Sequence, residues 1–182
     1  MTAPGQDRTA AHEAWPPAPI RAARLVLRPS EARDRAAFVD LFSSPEVAAH
    51  TGGAQPRDAL ERAMPEVPGR RPGLFVAARD GAMIGIVTLD RRAPERRGRV
   101  RPEGGETELG CLLLPEAWGS GYATEACEAA LGWCAGARAG EPVVLTTRTD
   151  NAPAMRLAAK LGFTEVERFE EYGAEQWFGV RR

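Results

Sequence analysis

A glycine-rich turn joins a predicted buried strand directly to a predicted helix in the segment LLLPEAWGSGYATEAC. The turn is Gly119-Ser120-Gly121, and the apolar run before it ends at Leu114. Glycines let the main chain adopt positive φ and approach a ligand, while the first turn of a helix has unpaired N–H groups that attract anions. The order strand, glycine turn, helix therefore predicts an anion cradle. An ordinary strand-to-helix turn is the alternative that this motif leaves open.

Two better-known phosphate-binding loops do not fit the same segment. Thr124 stands where the dinucleotide-binding fingerprint has its third small residue. A P-loop would need Gly-Lys-Ser/Thr after the turn, and that sequence does not follow it. Both of these nucleotide-binding motifs are therefore excluded.

The rest of the chain alternates predicted strands and helices. Residues 1 to 19, rich in proline and small residues, are predicted to form a flexible tail, and residues 20 to 182 a single domain. The predicted order in the domain is a strand, two helices, three strands, a helix, a strand, a helix and two strands. Asp80 and Gly81 form the dipeptide favoured in tight hairpins between two of these strands. This order predicts an α/β (α+β) fold in which helices flank a mixed sheet.

Composition excludes several classes of protein. With 24 basic and 25 acidic residues, the chain has no overall field that would attract nucleic acid or an anionic membrane. No apolar run approaches the roughly 20 residues that a membrane-spanning helix needs. Three cysteines, an odd number, argue against a disulfide framework and for a reducing compartment. We therefore expect a cytoplasmic protein with no nucleic-acid or membrane partner.

Several separated motifs together resemble the GNAT acetyltransferase superfamily. The sequence EAWGSGYATEA is preceded by ETELGCLLLP and followed by TRTDNAPAMRLAAKLGFTEV, and the domain opens with RLVLRP. Within the superfamily, the likeness is greatest to ribosomal-protein N-terminal acetyltransferases. The resemblance implies a mostly antiparallel, twisted sheet of about six to seven strands. It also implies that the strand ending at Leu114 and the strand through residues 143 to 147 splay apart in the centre of this sheet.

The same resemblance implies acetyl-coenzyme A as cosubstrate and no metal. Pantetheine would pair with main-chain groups in the opened strand, and the pyrophosphate would lie in the glycine cradle. Asn151 matches an asparagine that contacts the cofactor in the family, although a helix cap is its alternative role. The implied cofactor-binding residues are Leu112, Leu113, Leu114, Trp118, Gly119, Ser120, Gly121, Tyr122, Ala123, Thr124 and Asn151.

Amide formation needs a proton acceptor, because an alkyl ammonium group has a pKa near about 10 and only the neutral amine attacks. The candidates are Glu108, which matches a glutamate common in the family, and Glu106, two residues away on the same face of the strand. Relatives often have a serine or a tyrosine as general acid where this chain has Ala154 and Ala158. A thiol has a pKa near about 8.5, so coenzyme A can leave without one. Tyr122 and Tyr172 are candidate substitutes.

The predicted function is acetyl transfer to a primary amine in a ternary complex, with a protein N-terminus or a small-molecule amine as acceptor. A non-catalytic acyl-coenzyme A sensor or interaction module is the alternative, and Ala154 and Ala158 favour it. His50 is predicted to be a surface residue, with a role as base as the alternative. A run of arginines before the cofactor strand is predicted to lie in a solvated loop: Arg91, Arg92, Arg96, Arg97, Arg99 and Arg101. A nucleic-acid site there is a weaker alternative, and the oligomeric state stays open, with a homodimer among the choices.

Overall fold

The computed structural model describes residues 15–182, and its strands form one open sheet. The strands are β1 (Ile20–Arg21), β2 (Val26–Arg28), β3 (Leu74–Arg79), β4 (Ala82–Arg91), β5 (Thr107–Leu113), β6 (Val143–Arg148), β7 (Thr164–Glu171) and β8 (Ala174–Arg181). The helices are α1 (Arg35–Ser43), α2 (Pro45–Ala48), α3 (Arg57–Ala63), α4 (Tyr122–Ala137) and α5 (Ala152–Lys160).

The sheet has eight strands in the order β1-β2-β3-β4-β5-β6-β8-β7. All neighbours pair antiparallel except β5 and β6, which are parallel. The predicted mixed, mostly antiparallel sheet is confirmed. The strand beyond the expected six to seven is β1, a two-residue strand at the sheet edge. Two residues are too few to produce a recognisable alternation of polar and apolar positions.

The hairpin turn predicted at Asp80 and Gly81 is confirmed, and a second hairpin turn lies at Tyr172 and Gly173. Asp80 and Gly81 have φ of 50° and 83° between β3 and β4. Tyr172 and Gly173 have φ of 53° and 72° between β7 and β8. Positive φ at both central positions suits the right-handed twist of paired strands. For a bulky residue such as Tyr172 this conformation is unfavourable, so its backbone is strained.

The main core lies between α4 and the sheet. Its helical side is formed by Ala126, Ala130, Leu131 and Cys134, which are all buried. Cys127 is buried on the same helix, and its pKa is raised by a hydrogen bond with Cys111 and then by burial. A neutral, packed thiol is therefore the expected state of Cys127.

The N-terminal tail prediction falls mostly outside the described residues, since residues 1–14 are not described. Of the last residues of that predicted tail, Trp15 packs against the main core. Its ring centroid lies 5.0 Å from that of Phe75 and 6.4 Å from that of Trp133, both in edge-to-face geometry. Such aromatic contacts add about 0.5–1.5 kcal/mol to the burial of the ring.

Arg28 and Asp34 form a buried ion pair at the start of α1. The Arg28 guanidinium donates to both carboxylate oxygens of Asp34, at 2.7 and 2.8 Å, and the Glu31 N–H donates to Asp34 at 2.8 Å. Burial alone would raise the pKa of Asp34, but these hydrogen bonds outweigh it and hold the pKa below its ordinary value. The pair therefore stays ionised and joins the end of β2 to the first helix.

Candidate active site

The parallel strands β5 and β6 separate after a short paired stretch. They pair at two positions, Thr107 with Val143 and Glu108 with Val144. Beyond Glu108, β5 continues to Leu113 beside β4, and β6 continues to Arg148 beside β8, without further pairing between them. The predicted splay of the two central strands is confirmed. Within residues 15–182, one edge of each strand is thus open to an extended ligand.

Main-chain direction decides which residues of β5 face this opening. The N–H of Leu114 donates to Ile84 O at 2.9 Å, so Leu114 is bonded to the β4 side. Successive residues of a strand direct their main-chain groups to opposite sides. The amides of Cys111 and Leu113 therefore face the opening, while those of Leu112 and Leu114 face β4. Cofactor binding was predicted for Leu112, Leu113 and Leu114, and it stays a prediction. Of the three, Leu113 directs its main-chain groups to the opening, as Cys111 also does.

The glycine turn leads into α4 in the geometry of an anion cradle. Gly119 and Gly121 have φ of 75° and 79°, and a Cβ on Gly119 would meet no heavy atom within 4 Å. The first helical hydrogen bond runs from Glu125 N to Gly121 O. The N–H groups of residues 122–124 thus have no intrahelical acceptor. Trp118 is half exposed beside the turn, and its indole N–H donates to Leu113 O at 2.9 Å.

Arg24 and Glu125 brace this turn from the side of β2. Glu125 accepts the N–H of Arg24 at 2.5 Å, its Nε at 2.7 Å and the N–H of Leu25 at 3.1 Å. Burial would raise the pKa of Glu125, but its bonds with Arg24 lower it overall. Arg24 Nη1 also donates to Ser120 O at 3.0 Å, and its guanidinium lies 4.5 Å from the ring centroid of Tyr122. Tyr122 is buried under this contact and does not line the cleft that contains Glu108.

Asn151 begins α5 as a helix cap. Its side-chain oxygen accepts the N–H of Ala154 at 3.3 Å. The capping role proposed as its alternative is therefore present, and contact with a cofactor stays a prediction. Ala158 is buried on the same helix. The positions at which relatives often have a serine or a tyrosine thus hold methyl groups here.

Glu108 lies at the point where β5 and β6 separate, in the wall of a cleft of about 560 Å³. Its Oε1 accepts hydrogen bonds from Arg92 Nη1 at 2.5 Å and from Thr146 Oγ1 at 2.7 Å. Its Oε2 accepts one from Arg96 Nη1 at 3.1 Å. Thr146 lies on β6 past the last paired residue, so the bond between Glu108 and Thr146 bridges the two strands where they separate.

Glu106 occupies a different environment. It is buried, and its Oε1 accepts the N–H groups of Val100 and Arg101 at 2.6 and 2.7 Å. Its Oε2 has no hydrogen-bond partner in the described part of the chain. Burial raises the pKa of Glu106, but the main-chain hydrogen bonds from Arg101 and Val100 bring it below its ordinary value. Glu106 does not line the cleft of Glu108, and its bonds fix the loop between β4 and β5.

The prediction of a solvated arginine loop is wrong for Arg92. Its side chain is 1% exposed. It donates to Gly98 O at 3.1 Å and to Arg97 O, and its guanidinium lies 5.1 Å from the ring centroid of Phe178. Arg92 directly follows β4, and its N–H donates to Glu106 O at 2.9 Å, so it continues the ladder. This hydrogen bond is formed by the fold, so the sequence did not distinguish Arg92 from the arginines around it.

The remaining wall of the cleft carries charges of both signs. The cleft is lined by His50, Thr51, Gly52, Thr88, Asp90, Arg96, Glu108, Leu109, Gly110, Thr146, Arg148, Tyr172 and Gln176. Arg148 donates to Asp150, and His50 Nδ1 lies 3.5 Å from the same carboxylate. Tyr172 is 85% exposed at the rim. Of the two tyrosines considered as acids, only Tyr172 lies beside Glu108 in this cleft.

Residues 15–182 hold no group of three or more His, Cys, Asp or Glu side chains arranged to bind a metal ion. None of the helices in this range combines the length and the apolar character needed to span a bilayer.

Comparison with known proteins connects this geometry to one family. A family model described as an acetyltransferase (GNAT) domain matches residues 24–164. The L-amino acid N-acetyltransferase AaaT of Escherichia coli (strain K12) is 29% identical over 146 residues, which are 79% of this chain and 84% of that protein.

Solved structures share the fold. A GNAT-family acetyltransferase from Bacillus anthracis superposes with a TM-score of 0.72 at 19% identity, covering 90% of this chain and 98% of the other. RimL, a ribosomal L7/L12 alpha-N-protein acetyltransferase in complex with coenzyme A, gives a TM-score of 0.68 at 15% identity, with 90% and 97% covered. At these identities the likeness establishes the fold alone.

Proposed function

This chain belongs to the GNAT acetyltransferase family, and from that premise we propose that it transfers the acetyl group of acetyl-coenzyme A directly to a primary amine within a ternary complex. The observation that carries the proposal is the separation of β5 and β6 after two paired positions, next to the glycine turn before α4. An extended thioester arm fits between the strands, and a diphosphate fits the amides at the start of the helix.

The cosubstrate supplies an acetyl group activated as a thioester. Main-chain groups of Cys111 and Leu113 would pair with its arm, and Gly119, Gly121 and the first-turn amides of α4 would hold its phosphates. Trp118, Ser120 and Asn151 would complete the site around these main-chain donors. Holding the thioester and the amine in reach of each other supplies much of the rate enhancement in such a reaction.

Glu108 is the proposed proton acceptor. The amine nitrogen attacks the acetyl carbonyl carbon, the carbon–sulfur bond breaks, and coenzyme A leaves as thiolate. The proton released by the nitrogen passes to Glu108 directly or through water. Glu108 fits this role better than Glu106, because Glu108 lines the cleft while the Oε1 of Glu106 is bonded to two main-chain amides. A thiolate leaving group needs no general acid near neutral pH, which fits the alanines at positions 154 and 158.

The nature of the acceptor is part of the proposal. One relative is named for L-amino acids and a structural neighbour for the N-terminus of a ribosomal protein. Both acceptors carry an α-amino group. The α-amino group of a peptide has a pKa of about 8, so a larger share is neutral at pH 7 than for an alkyl amine. Fewer amine molecules then need to lose a proton to Glu108, the candidate base, whose carboxylate already accepts hydrogen bonds from Arg92 and Arg96.

A non-catalytic acyl-coenzyme A-binding module remains the second candidate, favoured by Ala154 and Ala158. Calorimetry with acetyl-coenzyme A, followed by thiol release with a panel of amines, separates the two. Binding with thiol release that depends on the amine supports the enzyme. Binding without release for any amine supports the binding module. Absence of binding contradicts both.

A further inference from the structure

Arg96 connects two acidic side chains at the wall of the cleft that contains Glu108, where the proposed acceptor amine would bind. Its Nη1 donates to Glu108 Oε2 at 3.1 Å, and its Nη2 donates to Glu171 Oε2 at 3.3 Å. Its Nε is buried and has no hydrogen-bond partner among residues 15–182. About a third of the Arg96 side chain is exposed, and it lines the cleft. The guanidinium is thus anchored on one side and accessible on the other.

The two oxygens of Glu108 differ in how firmly they are held. Oε1 is bonded to Arg92, which is almost fully buried, and to Thr146 on β6. Oε2 is bonded to Arg96, a partly exposed side chain on a loop. An acceptor amine that approaches Glu108 from the cleft must therefore share or replace the contact with Arg96.

Replacing that contact has an electrostatic consequence. An acceptor amine without a negative charge would displace Arg96 from Glu108 Oε2, and the Arg96 guanidinium would lose one hydrogen-bond acceptor. An acceptor that also carries a carboxylate would displace Arg96 in the same way, but its carboxylate would become a new acceptor for the guanidinium. A guanidinium binds a carboxylate through paired, charge-assisted hydrogen bonds. Because Arg96 Nη1 and Glu108 Oε2 are 3.1 Å apart, the amine and the carboxylate of the acceptor must be close together.

We propose that Arg96 is a specificity-determining residue that binds a carboxylate of the acceptor, so that the preferred acceptor carries a carboxylate next to its reacting amine. The proposal rests on the proposed acetyl transfer at the same cleft. Two kinds of acceptor have this chemistry: a free α-amino acid, and a peptide whose first residue is Asp or Glu. Glu171 keeps its bond to Arg96 in the complex and holds the guanidinium in place. The second cleft arginine, Arg148, is bonded to Asp150.

The test compares matched acceptors by kcat/KM for thiol release. One pair is L-phenylalanine and L-phenylalaninamide, and the other is two amidated tripeptides that begin with Asp or Asn. The carboxylate raises the pKa of the amine beside it, so kcat/KM is compared per neutral amine at the pH of the assay. Hydrogen bonds to charged groups contribute enough to predict, on that scale, a preference of about ten- to a hundredfold for the carboxylate member of a pair. A preference in the first pair identifies an amino acid as acceptor, and one in the second pair identifies an acidic N-terminus.

The variant Arg96→Gln should remove this preference and leave the KM for acetyl-coenzyme A unchanged. Arg96→Lys, which keeps the charge without the fork of donors, should restore part of it. Since each variant is tested with the same acceptors, differences in amine basicity between acceptors cancel. Two variants serve as controls and should keep the preference. One is Arg99→Gln, which changes an exposed arginine of the same loop, and the other is Arg148→Gln.

Equal kcat/KM per neutral amine for the members of both pairs in the unaltered enzyme would overturn the role of Arg96 and leave acetyl transfer intact. So would a preference that survives undiminished in folded Arg96→Gln, or one that Arg148→Gln alone removes. Absence of thiol release with every amine would overturn the proposed function together with this inference.

Discussion

Replacing Gly121 by Asp tests the anion cradle at its centre. Gly121 has φ of 79° and precedes the first turn of α4, and a Cβ there would lie 3.5 Å from Arg24 Nη2, an ordinary contact. Space therefore does not forbid a side chain. Asp and Asn both tolerate the left-handed conformation better than most residues, and each would destabilise the turn by about 1 kcal/mol relative to Gly. Gly121→Asn is thus a matched control with the same backbone cost and nearly the same volume, but without the charge.

The difference between the two variants isolates the electrostatic effect on the cosubstrate. A carboxylate about 5 Å from one phosphate charge is repelled by about 3 kcal/mol at an effective dielectric constant of about 20. The nearby Arg24 guanidinium offsets part of this repulsion, although it is already paired with Glu125 at 2.7 Å. We expect a net loss of about 2 kcal/mol, which is roughly a thirtyfold higher Kd for Gly121→Asp than for Gly121→Asn.

Isothermal titration with coenzyme A measures both Kd values, and thermal unfolding checks that the two variants are equally stable. The difference in Kd should shrink as salt is raised to about 1 M, because the Debye length falls from about 10 to about 3 Å. Kd values for both variants within twofold of that of the unaltered protein at low salt would refute the placement of the diphosphate at the start of α4. Equal, large losses in both variants would show that the turn tolerates no side chain at all.

Three further predictions concern catalysis and stability. Glu108→Gln should lower kcat in thiol-release assays by about a hundredfold or more, with the Kd of acetyl-coenzyme A unchanged. Asp34→Asn should cost about 3 kcal/mol in urea unfolding at neutral pH. Since the folded pKa of Asp34 lies below the unfolded value near about 3.9, this difference should persist above that pH and fade as pH falls through the folded pKa. Gly85→Ala should destabilise by several kcal/mol or prevent folding, because its Cβ would lie 2.2 Å from Leu112 O. Gly132→Ala, with open space around its Cβ in α4, should instead raise the melting temperature slightly.

Much of the fold could be predicted because its signals are local. The hairpin at Asp80-Gly81, the helix from Tyr122 and its buried face follow from turn chemistry and from the helical period of apolar residues. The two-residue strand β1 and the packing of Trp15 lacked such signals. β1 pairs with the nearby β2 but is too short to show an alternating pattern. Trp15 packs against Phe75, which lies far away in the sequence.

The glycine turn before α4 could be predicted from the sequence, since Gly119, Gly121 and the helix after them are consecutive in the chain and need only their own backbone to present amides. Which carboxylate faces the cleft could not be predicted, because Glu106 and Glu108 are alike in the sequence and differ by the groups that the fold brings around them. The main-chain amides of Val100 and Arg101 bind Glu106, whereas Glu108 contacts Arg96 and Thr146 where β5 and β6 separate. The physical reason is that a side chain's charge state and accessibility are set by its neighbours in space, which the loop and β6 bring from distant positions.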